Sequence, residues 1–235
     1  MTQHAPVLIV LLPLTASLLC MLFSRISKFL GSWIVMASIA GAFANACIVL
    51  QRVLESGGKT WHYWMGGWGP PIGIEFALDP LNSILAVVVT FISLMVSLYS
   101  RPFVKDEDWL HVGGYYTLFG LLTVGLSGMI ITGDVFNLYV YLEIMSLSGY
   151  GLIALGGRKS MLAAFRYLLI GTIGASLYLL GVGYLYAMTG TLNMADLAGT
   201  RSSASEFAAV CDCCSLLYHR LRYQDGAVPA AWLAA

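Results

Sequence analysis

The chain has 235 residues, 59% of them hydrophobic and only 10% charged, with twelve Lys and Arg offsetting twelve Asp and Glu. Water-soluble domains are near half apolar and a quarter charged, so this composition excludes one. A formal net charge of zero excludes nucleic acid as a partner, because binding a phosphate backbone needs a basic stripe.

The first apolar run covers residues 7 to 24. No Lys or Arg precedes it, and its length is that of a membrane span, so the sequence predicts a retained first helix and not a cleaved leader. Five further runs, at about 30–50, 81–100, 112–132, 135–156 and 162–188, are long enough to cross roughly 30 Å of hydrocarbon at about 1.5 Å per residue. Backbone groups find no water inside lipid, and none of these runs alternates like a barrel strand. The expected fold class is therefore all-α, a polytopic transmembrane protein of about six spans.

Between the second and third runs, residues 51–80 carry Trp61, Trp64, Trp68, Gly66, Gly67, Gly69 and Pro70-Pro71. This stretch is too broken for a helix and reads as an interfacial loop or hairpin with an aromatic belt. Arg25, Lys28, Arg101, Lys105, Arg158 and Lys159 flank one set of loops, against Arg52 and Lys59 on the other. That asymmetry places the odd-to-even loops in the cytoplasm and the N-terminus outside, in a cell (inner) membrane.

Glu143 is the deepest ionisable group. It lies about nine residues into the fifth span, roughly 12 Å below the surface, where an unpaired carboxylate is costly. Tyr139, Ser146 and Tyr150 stand at i−4, i+3 and i+7 from it and line one helical face with hydroxyls. That face reads either as a proton or ion relay or as a structural acid satisfied by its neighbours. Asp134 precedes the fifth span and suits a helix cap. Arg166, one turn inside the sixth span, can snorkel to the cytoplasmic surface. Gly120, Gly125 and Gly128 on the fourth span, and Gly171, Gly174, Gly181 and Gly183 on the sixth, read as packing contacts. Lys105-Asp106-Glu107-Asp108 reads as a solvated loop, and His62 and His111 as exposed loop residues. No phosphate loop, dinucleotide fingerprint, zinc-protease motif or nucleophile elbow occurs. No cofactor, catalytic redox site or metal site is expected.

The stretch from Gly133-Asp134-Val135-Phe136-Asn137 through Glu143 to Ser148-Gly149-Tyr150 resembles the fifth helix of the proton-translocating antiporter family. That family is shared by the D-type subunits of Mrp Na⁺/H⁺ antiporters and the large membrane subunits of respiratory complex I. Gly66-Gly67-Trp68, Gly73-Ile74-Glu75, Leu78-Asp79-Pro80-Leu81 and Gly190-Thr191-Leu192-Asn193-Met194 are similar to further family segments, so the resemblance covers about residues 5–199. It implies the N-terminal part of a fourteen-helix fold with inverted five-helix repeats. It also implies that Glu143 pairs with a lysine on a seventh helix, other membrane subunits as partners, and protons or Na⁺ as transported ions across the lipid bilayer. The sequence departs from that pattern: no lysine follows Lys159.

From about Thr200 the character changes. Arg201, Glu206, Asp212, Arg220, Arg222 and Asp225 leave no apolar run long enough to span. Cys211, Cys213 and Cys214 have no second ligand pair for zinc. Read one nucleotide later, the degenerate codons of Tyr218–Ala235 permit I-I-G-F-A-I-K-M-A-L-F-P-L-H-G-W-L-P, which resembles the family's helix seven with its lysine. The expectation is a frameshift between about Leu197 and Val210, with 200–235 an out-of-frame tail and the chain inactive alone. Two alternatives stand beside it. One is a self-sufficient six-helix scaffold or assembly protein with a partner- or metal-binding tail, and the other is a small permease complete in itself.

Overall fold

The computed structural model describes residues 4–69, 73–104 and 108–199. Six long helices run in order: α1 (Ala5–Ser24), α2 (Lys28–Glu55), α3 (Pro80–Val104), α4 (Trp109–Ile131), α5 (Val135–Ala154) and α6 (Arg158–Thr189). A short α7 (Met194–Gly199) follows. Between α2 and α3 stand two strands, β1 (Trp61–Trp64) and β2 (Glu75–Leu78). The Pro70-Pro71 pair, Lys105-Asp106-Glu107, and the tail with its three cysteines and expected frame change lie outside the described residues.

Five helices, α1, α2, α3, α4 and α6, are long and apolar enough to cross a membrane. The other, α5, has 20 residues but is diluted by Asn137, Glu143 and three tyrosines. The remaining boundaries follow the apolar runs to within about one turn, the larger departures being α2, which continues to Glu55, α3, which continues to Val104, and α6, which starts at Arg158.

α4 is the hub. It packs against α1, α2, α3 and α5, while α6 packs on α5. Half of the central window of α4 is buried, against 17% of that of α6, so α6 forms the edge of the bundle. Glycines let the hub work. A Cβ on Gly113 or Gly120 would strike Ser24 or Ser17 of α1, and one on Gly125 or Gly128 would strike Met145 or Tyr141 of α5. One pair of notches seats α1 and the other seats α5, in keeping with the packing role expected of Gly120, Gly125 and Gly128.

The strands form an antiparallel hairpin in the register Trp61↔Leu78, His62↔Ala77, Tyr63↔Phe76 and Trp64↔Glu75. Gly66 and Gly67 at the start of its connection have φ of 68° and 78°, where a side chain is strained. Phe76 and Leu78 are buried and close one end of the core over Ile9, Val49, Val53, Val124 and Ile131. A second cluster, around Val35, Ile39, Tyr116 and Phe119, fills the opposite half. Arg52 lies 5.3 Å over the Trp61 ring at the hairpin end, and Arg101 lies 4.1 Å over Trp33 at the other. Each is a cation–π contact, and together they set an arginine–tryptophan pair at both ends of the bundle.

Candidate functional site

Glu143 is half-buried on α5. Tyr139, one turn earlier, has its phenol within electrostatic reach of the carboxyl and is held by α6: its ring stacks on Tyr178 with centroids 6.1 Å apart and planes 7° apart. The Tyr178 hydroxyl in turn donates to the Val135 carbonyl at 3.1 Å. At the far end of the same face, Tyr150 is buried and meets Tyr167 of α6 edge-on at 4.9 Å. The line Tyr139, Glu143, Ser146, Tyr150 therefore borders α6, with an aromatic pair at each end and the carboxyl and the half-buried Ser146 between them. From Trp109 to Gly199 the sequence contains no basic residue besides Arg158, Lys159, Arg166 and His111. All but His111 lie in the first three turns of α6, and Arg166 is exposed.

Asp134 is the N-cap of α5, and its Oδ1 accepts the Asn137 N–H at 2.7 Å. Burial pushes its carboxyl above the ordinary range, while backbone N–H groups of Asn137 and Phe136 oppose the shift. Asn137 also donates through its side chain to Thr132 Oγ1 at 3.0 Å, so the turn between α4 and α5 is closed by its own polar groups.

The sixth helix bears out only some glycine contacts. Gly171 meets the Tyr150 hydroxyl, whereas a Cβ on Gly174 or Gly183 would meet nothing within 4 Å.

A second polar centre lies at the hairpin end. Glu75 is 5% exposed. Its Oε1 accepts from His62 Nδ1 at 2.5 Å and from Trp64 Nε1 at 3.3 Å, and its Oε2 accepts from the Asn193 amide in the turn between α6 and α7. His62 is thus a strand residue hydrogen-bonded to a buried acid and not a free loop histidine, and half of its side chain remains exposed. Backbone bonds extend the connection: Gly133 N–H to the Glu75 carbonyl at 2.8 Å, Met194 N–H to the Gly133 carbonyl at 2.9 Å, and Val135 N–H to the Leu192 carbonyl at 3.0 Å. Hairpin, α4–α5 turn and α6–α7 turn make one laced cap. The nearest signal in the sequence was that Glu75 and Asn193 both fall within family-like segments. Among the described residues, no group of three His, Cys, Asp or Glu side chains could hold a metal ion.

Comparison with known proteins fits this arrangement. The family described as NADH:quinone oxidoreductase/Mrp antiporter, TM, matches residues 132–217, and that described as NADH-Ubiquinone oxidoreductase (complex I), chain 5 N-terminus, matches residues 64–112. The chain belongs to the family of antiporter-like membrane subunits shared by complex I and Mrp antiporters. It is 48% identical over 198 residues to NADH-quinone oxidoreductase subunit N of Desulforudis audaxviator, covering 84% of this chain and 39% of the relative. It is 36% identical over 193 residues to the D-type subunit of the Na(+)/H(+) antiporter of Bacillus subtilis, covering 82% of this chain and 38% of the relative. The fold is similar to a chain of the membrane-bound sulfane sulfur reductase, an archaeal respiratory membrane complex, with TM-score 0.78, 33% identity and coverage of 85% and 40%. It is also similar to a chain of the Mrp complex from Dietzia sp., with TM-score 0.74, 25% identity and coverage of 89% and 39%. Both are multisubunit membrane assemblies. The chain is a multi-pass membrane protein and spans about two fifths of the length of these relatives. The match to residue 217 reaches past Thr200 into the first part of the tail.

Proposed function

We propose that the chain is the N-terminal part of an ion-translocating membrane subunit, with Glu143 as a relay acid and Tyr139, Ser146 and Tyr150 as its hydroxyl neighbours. The observation that carries this is the position of Glu143. A membrane-embedded carboxyl is expensive, and here it stands one turn from Tyr139, whose ring is fixed by a stacked tyrosine of the next helix. A purely structural acid would need no row of hydroxyls continuing along the same face.

Protons or Na⁺ are the transported ions on this reading, and other membrane subunits surround the chain in the inner membrane, its N-terminus outside. The exposed flanks of α6, with Leu162, Phe165, Ile170 and Ile173, leave ample apolar surface for lipid or for such subunits. In the fold family the positive partner of the relay acid lies on a later helix. Arg166, Arg158 and Lys159 sit at one end of α6 and do not supply that charge at mid-span. The part of the tail past the family match at residue 217 reads as out of frame. The test is cation-driven proton flux in native membrane vesicles carrying Glu143→Gln, beside liposomes holding this chain alone.

A further inference from the structure

We propose that the Glu75 carboxylate is a latch that fastens the β-hairpin to the turn leaving α6, with one oxygen serving each side. Oε1 takes both donors of β1, His62 and Trp64, and Oε2 takes the Asn193 amide. The Asn193 orientation is fixed by its other end. Its Oδ1 accepts the backbone N–H groups of Ala195 at 2.9 Å and Asp196 at 3.2 Å, which leaves the amide nitrogen facing the acid. The donor pattern is thus directional: three donors converge on one buried acceptor group.

Packing alone does not call for a charge here. Phe76 and Leu78 already close the core beneath the hairpin, and the backbone ladder through Gly133 already joins the three segments. A buried acid adds something an apolar residue cannot, because losing a partner leaves a buried acceptor oxygen short of a donor. The turn at 190–193 follows α6, the least buried of the spans, and is held by this contact together with the backbone bonds to Gly133 and Val135. The latch therefore sets how the chain leaves α6. The neighbouring elements bring up two further acids, Asp134, whose backbone pairs with Asn193, and Asp196 of α7, which accepts from Thr191.

The test is backbone hydrogen exchange of the full chain in lipid nanodiscs at about pH 8, read on peptides covering 61–78 and 190–199. Asn193→Asp keeps the acceptor for the Ala195 and Asp196 amides but sets carboxylate against carboxylate. Glu75→Gln keeps the acceptor for His62 but sets amide nitrogen against amide nitrogen. Each single variant is expected to lose about tenfold or more of the protection in both peptides. The double variant reverses donor and acceptor across the contact and is expected to return to within about twofold of the parent. Singles with parental protection, or a double no better than the worse single, overturn the latch. If a single variant fails to insert, recovery of insertion by the double is the same rescue, and a double that also fails counts against it.

Discussion

The Tyr150 hydroxyl occupies the space that a side chain at Gly171 would fill: a Cβ there would overlap the phenol oxygen. This notch is where the far end of the Glu143 face locks onto α6. Gly171→Ala is expected to force α5 and α6 apart and to cost about 1–3 kcal/mol, the usual penalty of overpacking. Adding Tyr150→Phe removes the nearest atom and recovers part of that loss. Thermal unfolding in detergent, followed for both variants, checks the pair.

Asp134 gives a pH-dependent prediction. Its carboxyl titrates above the ordinary range because burial disfavours the charge. The folded protein then holds the proton more readily than the unfolded chain, so this residue's contribution falls as pH rises from the usual carboxylate range through the raised value. Asparagine caps a helix as well as aspartate does. Asp134→Asn is therefore at least as stable as the parent at neutral pH, and its advantage disappears on acidification, when Asp134 itself is neutral. Asp134→Ala loses the bond to Asn137 and about 1 kcal/mol, with the larger loss on acidification, where the neutral carboxyl of the parent contributes most. Melting temperatures across a pH series measure both.

Tyr139 is expected to tune Glu143 without holding up the fold. Its ring is kept by Tyr178, so Tyr139→Phe preserves the stack and removes only the hydroxyl that reaches the acid. We expect parental expression and melting temperature with flux lowered by roughly tenfold, the scale of one net polar contact. Flux at the parental level would remove Tyr139 from the relay.

The helices were readable because a span must be long and apolar, and α1 to α4 and α6 satisfy that almost residue by residue. The line Tyr139, Glu143, Ser146, Tyr150 was readable for the same kind of reason, since i, i+4 geometry places helical neighbours together before any tertiary contact is known. Glycine and proline around Trp68 left loop and hairpin equally open, and the hairpin formed because β2 also pairs with Thr132 of the α4–α5 turn. Glu75 and its partners were not readable. His62 is 13 positions away and Asn193 is 118, and no local periodicity links such residues. His62 is exposed as its default assignment has it, but it stands on β1 and meets an acid that arrives from the other strand of the hairpin.

The reading-frame proposal for the tail predicts that the gene, sequenced from codon 190 onward, shows a gained or lost base whose correction continues through K-M-A-L-F-P-L-H-G-W-L-P into further apolar helices. An uninterrupted frame with no helical sequence beyond it would favour the six-helix scaffold, whose tail then becomes the place to assay partner and zinc binding.

The relay stands or falls with Glu143, and flux and stability measured together on Glu143→Gln decide it. In native membrane vesicles we expect parental protein levels and melting temperature with cation-driven proton flux reduced by about a hundredfold or more, the scale of losing a positioned proton-transfer group. Flux at the parental level, with or without a drop in melting temperature, would contradict the relay and make Glu143 a structural acid satisfied by Tyr139.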